Sequence, residues 1–340
     1  MISCCLVTYR CQSVMTDTLR SLQKAAEKLP LTVYAVDNGS RDGTAETIRR
    51  GYPFIHLIQN AENRGFGRAH NAALPLLTSR YHLILNPDIT FEPETLLLMV
   101  RCLDANPQAA AVTPRILNAD GTEQRLPKRA PTVRYLLGGM LEGLGGPFAR
   151  WRREYERNED VPENLMGCER YEDIPENLRG CVRNEDVPKN LKGRVRNETV
   201  PENLSGRVRN EDVPENLRGR ERNEDITDGE KGGTRNENGP AAHPGGAETR
   251  RPVPVKIAAG CFLLARTGAL QKLGGFDERF FLYLEDTDLS RRLLQEGDIL
   301  FLPEAEVTHL WQRESHRKLR LRLIHIVSAF RYFHKWGWRL

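Results

Sequence analysis

The chain has 340 residues, a formal net charge of +4, 39% hydrophobic and 28% charged residues. Long apolar-periodic segments exclude collagen-like and wholly disordered classes, and so small a net charge is weak reason to expect a nucleic-acid partner. Residues 150–250 contain almost no apolar clusters; the remainder, about 240 residues, suits one α/β domain with a sizeable core.

Ile2–Thr8 is an apolar run without a positive leading region or a cleavage site, so it reads as a strand rather than a signal peptide. No apolar run approaches the ~18 residues that span a bilayer. The seven cysteines (Cys4, Cys5, Cys11, Cys102, Cys168, Cys181 and Cys261) form no C-x-x-C pair, and their odd count suits a reducing cytosol. Thr16–Leu29 places Leu19, Leu22, Ala26 and Leu29 on one helical face. Leu31–Val36 reads as a strand ending in the turn cluster Asp37-Asn38-Gly39-Ser40. A short helix over Ala45–Arg50, a strand over His56–Ile58 and a helix over Phe66–Leu77 follow. Tyr81–Leu85 is a strand that stops at Asn86-Pro87-Asp88. Pro93–Leu103 is a helix opened by proline near its first turn, and Ala109–Thr113 is a strand. This alternation predicts a mostly parallel sheet with helices on both faces.

A tandem repeat follows, with a unit close to R-N-E-D-V-P-E-N-L-R-G-R-V. Its second position recurs at Asn158, Tyr171, Asn184, Asn197, Asn210 and Asn223, a step of 13 residues, with a decayed copy at Asn236. Each unit offers one Val or Ile and one Leu. That is too little apolar surface to offset a backbone-ordering cost of about 1–2 kcal/mol per residue. The block over 150–250 therefore reads as a disordered insertion and linker, with a docking segment as the functional alternative. Order returns at Val255: a strand over Ile257–Ala265 interrupted by Gly260, a helix over Thr267–Leu273, a helix over Phe281–Gln295, a strand over Ile299–Leu302 and an extended segment at Val307–Leu310.

Three acidic positions stand where strands end or helices begin. Asp37 follows the second strand, at the sheet edge where doubly wound folds bind ligands, although Asp also caps turns. Asp88 follows the Tyr81–Leu85 strand, where a carboxylate suits a hard divalent ion bridging phosphate oxygens; an Asx turn is the plainer reading. Glu285-Asp286-Thr287-Asp288 follows an aromatic segment that can desolvate a carboxylate and raise its proton affinity, as a general base requires, while acids also favour a helix's first turn. Asn63-Arg64-Gly65-Phe66-Gly67 precedes a helix and is a poor dinucleotide fingerprint, with His70 at the third glycine position, but it permits close backbone approach to a ligand.

The ordered set of Val7-Thr8-Tyr9, Val36-Asp37-Asn38-Gly39-Ser40-Arg41-Asp42-Gly43-Thr44, Asn63-Arg64-Gly65-Phe66-Gly67, Leu85-Asn86-Pro87-Asp88, Ala259-Gly260-Cys261-Phe262, Gly274-Gly275-Phe276-Asp277-Glu278-Arg279-Phe280-Phe281, Tyr283-Leu284-Glu285-Asp286-Thr287-Asp288-Leu289 and His309 resembles the family 2 glycosyltransferases of the GT-A fold, rhamnosyltransferase-like branch. The resemblance covers about residues 1–125 and 255–312. It implies a Rossmann-like α/β sheet with a nucleotide-sugar (donor) half over 1–130, the repeat insertion over 150–250, an acceptor and catalytic half over 251–312, and a basic aromatic helix over 313–340.

The resemblance also implies roles. Thr8, Tyr9, Asp37, Asn38, Ser40, Asn63, Gly65, Gly67, Asn71 and Asn86 would bind the donor. Asp88 would stand for the metal-binding aspartate of the family's D-x-D pattern, with Asn86 in place of its first acid, and His309 would be a late metal or phosphate ligand. Gly260 and Cys261 would form the glycine turn facing donor and acceptor. Asp286 would be the catalytic base, with Glu285 beside it. A divalent cation, Mg²⁺ or Mn²⁺, would be the cofactor. The partners would be a nucleotide-diphosphate sugar (rhamnose on thymidine diphosphate in this branch) and a glycan or polyprenyl-linked acceptor in cell-surface polysaccharide synthesis. The expected location is cytoplasmic, peripheral at the inner face of the membrane.

Two departures from the family stand out. It has Asn where this chain has Arg10, and it crosses the gap between Arg125 and Val255 with a much shorter segment. Lengthening a loop costs only about 0.6 kcal/mol per doubling, so the fold can accept the insertion, with an obstructed acceptor groove or a decayed gene as the alternatives. An inactive transferase scaffold that binds partners through the repeat, and a nucleotidyltransferase on a similar sheet, remain open at this point. The tail places Leu319, Leu323, Ile326, Val327, Phe330 and Phe333 on one helical face among Arg and Lys, which suits either packing on the core or lying on an anionic membrane.

Overall fold

The computed structural model describes residues 1–124, 129–141, 145–156, 251–310 and 319–338. The 13-residue repeat, Cys168, Cys181 and the start of the tail lie outside the described residues.

Nine strands form one sheet: β1 (Ile2–Thr8), β2 (Leu31–Asp37), β3 (Ile55–Gln59), β4 (Tyr81–Leu85), β5 (Ile89–Thr90), β6 (Ala109–Asn118), β7 (Val253–Val255), β8 (Phe262–Arg266) and β9 (Asp298–His309). Their order is β3-β2-β1-β4-β8-β6-β9-β5, with β7 paired to β9. β1 to β4, β6 and β9 point one way, whereas β5, β7 and β8 run against them. The expected mostly parallel sheet is therefore present, closed by antiparallel pairings on its C-terminal side. The helices are α1 (Thr16–Lys28), α2 (Thr44–Gly51), α3 (Phe66–Asn71), α4 (Pro93–Ala105), α5 (Val133–Leu141), α6 (Gly146–Glu156), α7 (Thr267–Lys272), α8 (Glu285–Leu293) and α9 (Leu319–Trp336).

Strand alternation sorts the core into two faces. Cys4, Leu6, Leu83 and Leu85 pack with Leu19 and Leu22 of α1 and with Leu96 and Met99 of α4. On the other face, Cys5 and Val7 pack with Ala69 of α3, and Ile84 and Leu263 with Leu270 of α7 and Leu289 of α8. Each leucine shut away from water in this way contributes about 2 kcal/mol. The five described cysteines are free and buried.

Three differences from the sequence reading have local causes. The helix expected over Phe66–Leu77 breaks after Asn71 and resumes as a 3₁₀ turn over Leu74–Leu76, because Pro75 cannot donate to an α-helical ladder. The strand expected over Ile257–Ala265 begins only at Phe262; the Ser290 hydroxyl, not a neighbouring strand, takes the Ala258 N–H. The helix expected from Phe281 starts at Glu285, since Tyr283 and Leu284 are left-handed with φ of 69° and 64°. In addition, α6 runs to Glu156, into the stretch assigned to the insertion.

Candidate active site

The carboxyl ends of β1, β2 and β4 meet at one edge of the sheet, where Thr8 is in register with Asp37 and Leu6 with Leu85. Asp37 is buried there: its Oδ1 accepts the Thr8 hydroxyl at 3.2 Å and its Oδ2 the Ser40 N–H at 3.1 Å. Next to it, Asn38 uses its whole amide to shape the neighbouring loop. Its Nδ2 donates to Asn63 Oδ1 (3.0 Å) and Gly65 O (3.1 Å), and its Oδ1 accepts from Asn60 Nδ2 (3.1 Å) and Arg64 N (3.0 Å). Asn63 then caps the Gly65 N–H at 2.9 Å. Gly65, at φ 88°, lies against the Phe281 backbone, where a Cβ would strike the Phe281 carbonyl, and Phe66 N donates to that carbonyl at 2.9 Å. Gly67 is equally close-fitted, with a Cβ position 2.7 Å from Phe276 Cβ.

Of the expected donor-side residues, the structure brings Thr8, Asp37, Asn38, Ser40, Asn63 and Gly65 into one network, and Tyr9 is exposed beside it. Asn71 is placed differently: its amide grips the Phe276 backbone, Nδ2 to O at 2.9 Å and Oδ1 from N at 2.8 Å. Its visible work is to fasten α3 to the segment leading to α8. Arg10, in the position where the family carries Asn, sits at φ 51°, a conformation that Asn tolerates better than Arg.

Asn86 continues β4, its N–H reaching Cys261 O at 2.9 Å, and Asp88 lies just beyond. The pairing of β5 with β9 puts Ile89 opposite His309 and brings His309 Nε2 to 3.3 Å from Asp88 Oδ1. That oxygen is buried and accepts no hydrogen bond among the described residues. His309 Nδ1 lies 3.3 Å from Gln124 Oε1, which orients the ring. A buried carboxylate oxygen without a donor, facing an imidazole nitrogen, fits a divalent cation that takes its other ligands from phosphate oxygens. No third His, Cys, Asp or Glu joins them among the described residues.

Asp286 opens α8. Its Oδ2 accepts the Gly260 N–H at 3.1 Å, and its Oδ1 accepts the Thr287 N–H at 2.7 Å. A carboxylate offers about four acceptor sites, so capacity remains on this half-buried side chain. Glu285 has the opposite environment. It is buried, and burial first, then the neighbouring Asp286 charge, pushes its carboxyl up to about 8. The desolvation expected from the aromatic segment thus falls on Glu285, which stays protonated at neutral pH, while Asp286 remains half-buried. Burial, then the charges of Asp88 and Asp286, hold the Cys261 thiol protonated. Two consecutive left-handed non-glycine residues before α8 cost on the order of 1–3 kcal/mol each, strain of a kind that collects at functional sites.

Sequence reasoning missed the α5–α6 pair. Tyr155 of α6 is buried and stacks on Tyr135 of α5 at 5.6 Å. Burial, then the Asp286 charge, raises its phenol. The visible signal was Trp151 and Tyr155 at helical spacing, just ahead of the repeat.

Residues 3–166 match the family described as "Glycosyl transferase family 2". The chain carries a glycosyl transferase family 2 domain. Two Mycobacterium tuberculosis proteins, from strains CDC 1551 / Oshkosh and ATCC 25618 / H37Rv, are each 25% identical to it over 89% of this chain and 74% of their own length. Both are described as N-acetylglucosaminyl-diphospho-decaprenol L-rhamnosyltransferase. Among solved structures, GalNAc-T7 with UDP, GalNAc and Mn²⁺ shares the fold at a TM-score of 0.54 and 11% identity, covering 97% of this chain and 47% of that one. The mannosyltransferase PcManGT from Pyrobaculum calidifontis, with GDP-Man and Mn²⁺, gives a TM-score of 0.49 at 14% identity, over 98% of this chain and 64% of that one. The chain therefore spans between about half and two thirds of these structures. The expected donor-side residues and Asp88 lie inside the matched transferase segment; Gly260, Cys261, Glu285, Asp286 and His309 lie beyond it and reach it through β8 and β9.

Proposed function

We propose that this protein is an inverting glycosyltransferase that moves L-rhamnose from a nucleotide-diphosphate carrier to N-acetylglucosamine on a polyprenyl diphosphate. The observation that carries the reading is that the Gly260–Cys261 segment touches both acidic groups: the Gly260 N–H holds Asp286, and the Cys261 carbonyl takes the N–H of Asn86, two positions before the Asp88 that faces His309. The relatives' described activity supports the choice of sugar and acceptor.

In this reading Asp37, Thr8 and Ser40 form the nucleotide end of the cleft. Asp286 takes the proton of the acceptor hydroxyl as that oxygen attacks the anomeric carbon. The bond from that carbon to the diphosphate oxygen breaks with its electron pair, so the nucleoside diphosphate leaves and the configuration inverts. Asp88 and His309 would hold a divalent cation, Mg²⁺ or Mn²⁺, which supplies Lewis-acid stabilisation of the departing diphosphate. Gly260 and Cys261 would form the glycine turn that faces donor and acceptor.

No helix among the described residues is long and apolar enough to cross a membrane. α9 instead has two apolar faces. Tyr332 and Phe333 turn into the core with Phe280 and Leu284. Leu323, Ile326, Val327 and Phe330 remain 46–59% exposed, beside exposed Arg320, Arg322 and Arg331. An apolar stripe flanked by cations suits an anionic bilayer surface, which would hold the enzyme near a lipid-linked acceptor at the inner face of the membrane.

The test is transfer of radiolabelled rhamnose from its thymidine diphosphate to a short-chain polyprenyl-diphosphate N-acetylglucosamine. A labelled disaccharide lipid with inverted anomeric configuration supports the reading. Absence of transfer, together with absence of binding by any nucleotide sugar, supports the inactive-scaffold alternative.

A further inference from the structure

We propose that α9 is a latch that positions Asp286, acting through Asp288 and the left-handed turn at Tyr283–Leu284. This inference rests on the reading of Asp286 as the base and adds the residues that aim it. Asp288 is fully buried one position beyond Thr287 in the first turn of α8. Its Oδ1 receives Lys335 Nζ at 2.6 Å and Trp336 Nε1 at 2.8 Å, both from the last turn of α9. Its Oδ2 receives Arg292 Nε at 2.8 Å, and Arg292 reaches on to Gly275 O at 2.7 Å. A charge this deeply buried persists only when paired and hydrogen-bonded, so its partners define where α8 can lie.

The same helix grips the chain on the other side of the turn. Ser328 Oγ donates to Leu282 O at 2.7 Å, Arg331 donates to Arg279 O, and Lys335 pairs with Asp277 at 2.8 Å. His325 and Tyr283 rings lie 4.9 Å apart, and Arg291 of α8 sits over the Trp336 ring at 4.2 Å. α9 therefore fastens the segment at Leu282 before the strained pair and at Asp288 after it. Left-handed conformations of Tyr and Leu survive where the surroundings over-determine them. With the latch released, the turn can relax and swing the first residues of α8, and Asp286 then leaves the Gly260 N–H. Misplacing a catalytic group by about 1 Å costs on the order of 100-fold in rate. Lys335 and Trp336 act on Asp286 through Asp288, which makes them positioning residues.

The experiment compares the full chain with Lys335→Met/Trp336→Phe, Lys335→Arg and Asp286→Asn. It reads kcat, KM for the nucleotide sugar, donor Kd by calorimetry, and melting temperature. The expected result is a kcat at least tenfold lower in the double variant, with donor Kd and KM within about threefold, and near-native kcat in Lys335→Arg, which keeps a cation on Asp288. Native kcat in the double variant, with Asp286→Asn inactive, overturns the latch and leaves the base in place. Native turnover in Asp286→Asn removes the base and the latch together. Donor binding and kcat falling in parallel mark α9 as mere scaffolding and also overturn the latch. If the double variant does not fold, Ser328→Ala decides: a kcat loss at constant donor Kd supports the latch, and unchanged kcat overturns it.

Discussion

The Asp286 carboxylate and the Gly260 backbone fit each other closely: Oδ2 accepts the Gly260 N–H at 3.1 Å, and a methyl group on Gly260 would stand 2.8 Å from Asp286 Cβ. Gly260→Ala must therefore push Asp286 away from its place. Turnover should fall by roughly 10- to 100-fold while donor binding, proposed to rest on Asp37, Thr8 and Ser40, stays near native. Steady-state kinetics beside donor calorimetry checks this; native turnover in Gly260→Ala would count against the placement of Asp286.

The two adjacent carboxyls should separate under isosteric amidation. Glu285 is buried and protonated at neutral pH, so Glu285→Gln should keep activity within a fewfold, whereas Asp286→Asn should lose at least ~100-fold, the scale of general-base removal. Stability supplies a second reading. The folded carboxyl titrates near 8 against 4.5 for a free glutamate, so between these values the native state binds more protons than the unfolded one. That contribution is full below pH 4.5 and is lost as pH rises toward 8. The melting advantage of Glu285→Gln over the native chain should grow from pH 5 to pH 8; a constant difference contradicts a buried neutral Glu285.

His82 predicts the opposite slope. Burial pulls its imidazole down to about 3, from 6.5, with Nδ1 2.7 Å from the Ser3 hydroxyl. The unfolded chain then binds the extra proton, so stability is full above about pH 6.5 and falls as pH drops toward 3. Buried His70, also shifted down by burial, acts in the same direction. Thermal melts from pH 7 to pH 5 should show a decline, and His82→Gln should show a shallower one. Parallel slopes in the two proteins would rule out His82 as a source.

Asn38 is the brace of the donor-side loop, with four hydrogen bonds to Asn60, Asn63, Arg64 and Gly65. Asn38→Ala should destabilise the protein by about 3 kcal/mol, since it leaves several buried partners unpaired. It should also weaken nucleotide-sugar binding by loosening the loop. Chemical denaturation and calorimetry measure the two effects; a stable variant with native affinity would deny Asn38 this role.

Much of the architecture was legible because the N-terminal half signals its elements locally. Ile2–Thr8, Thr16–Lys28, Leu31–Asp37 and Tyr81–Leu85 are each bounded by turn or proline signals, and each appears within a residue or two of its expected place. Asp37, Asp88 and His309 could be nominated because strand ends are readable and the resemblance gave them an order. What stayed hidden is set by tertiary contact. Nothing near Tyr283 and Leu284 announces a left-handed pair, because that turn is held by Ser328, Lys335 and Trp336 more than forty positions away. The identical-looking acids Glu285 and Asp286 differ only through burial, which no spacing reveals. Phe333, expected to share a face with Phe330, turns into the core, while Phe330 stays in solvent, because α9 packs with Tyr332 and Phe333 toward Phe280.

The most direct measurement is Mg²⁺- or Mn²⁺-dependent binding and transfer with a panel of nucleotide sugars, using the native chain, Asp88→Ala and Asp286→Asn. A cation-dependent donor site at Asp88, with Asp286 as the base, predicts saturable binding by the native chain and Asp286→Asn, loss of binding in Asp88→Ala, and transfer by the native chain alone. Equal binding by Asp88→Ala, or transfer by Asp286→Asn at the native rate, would contradict it.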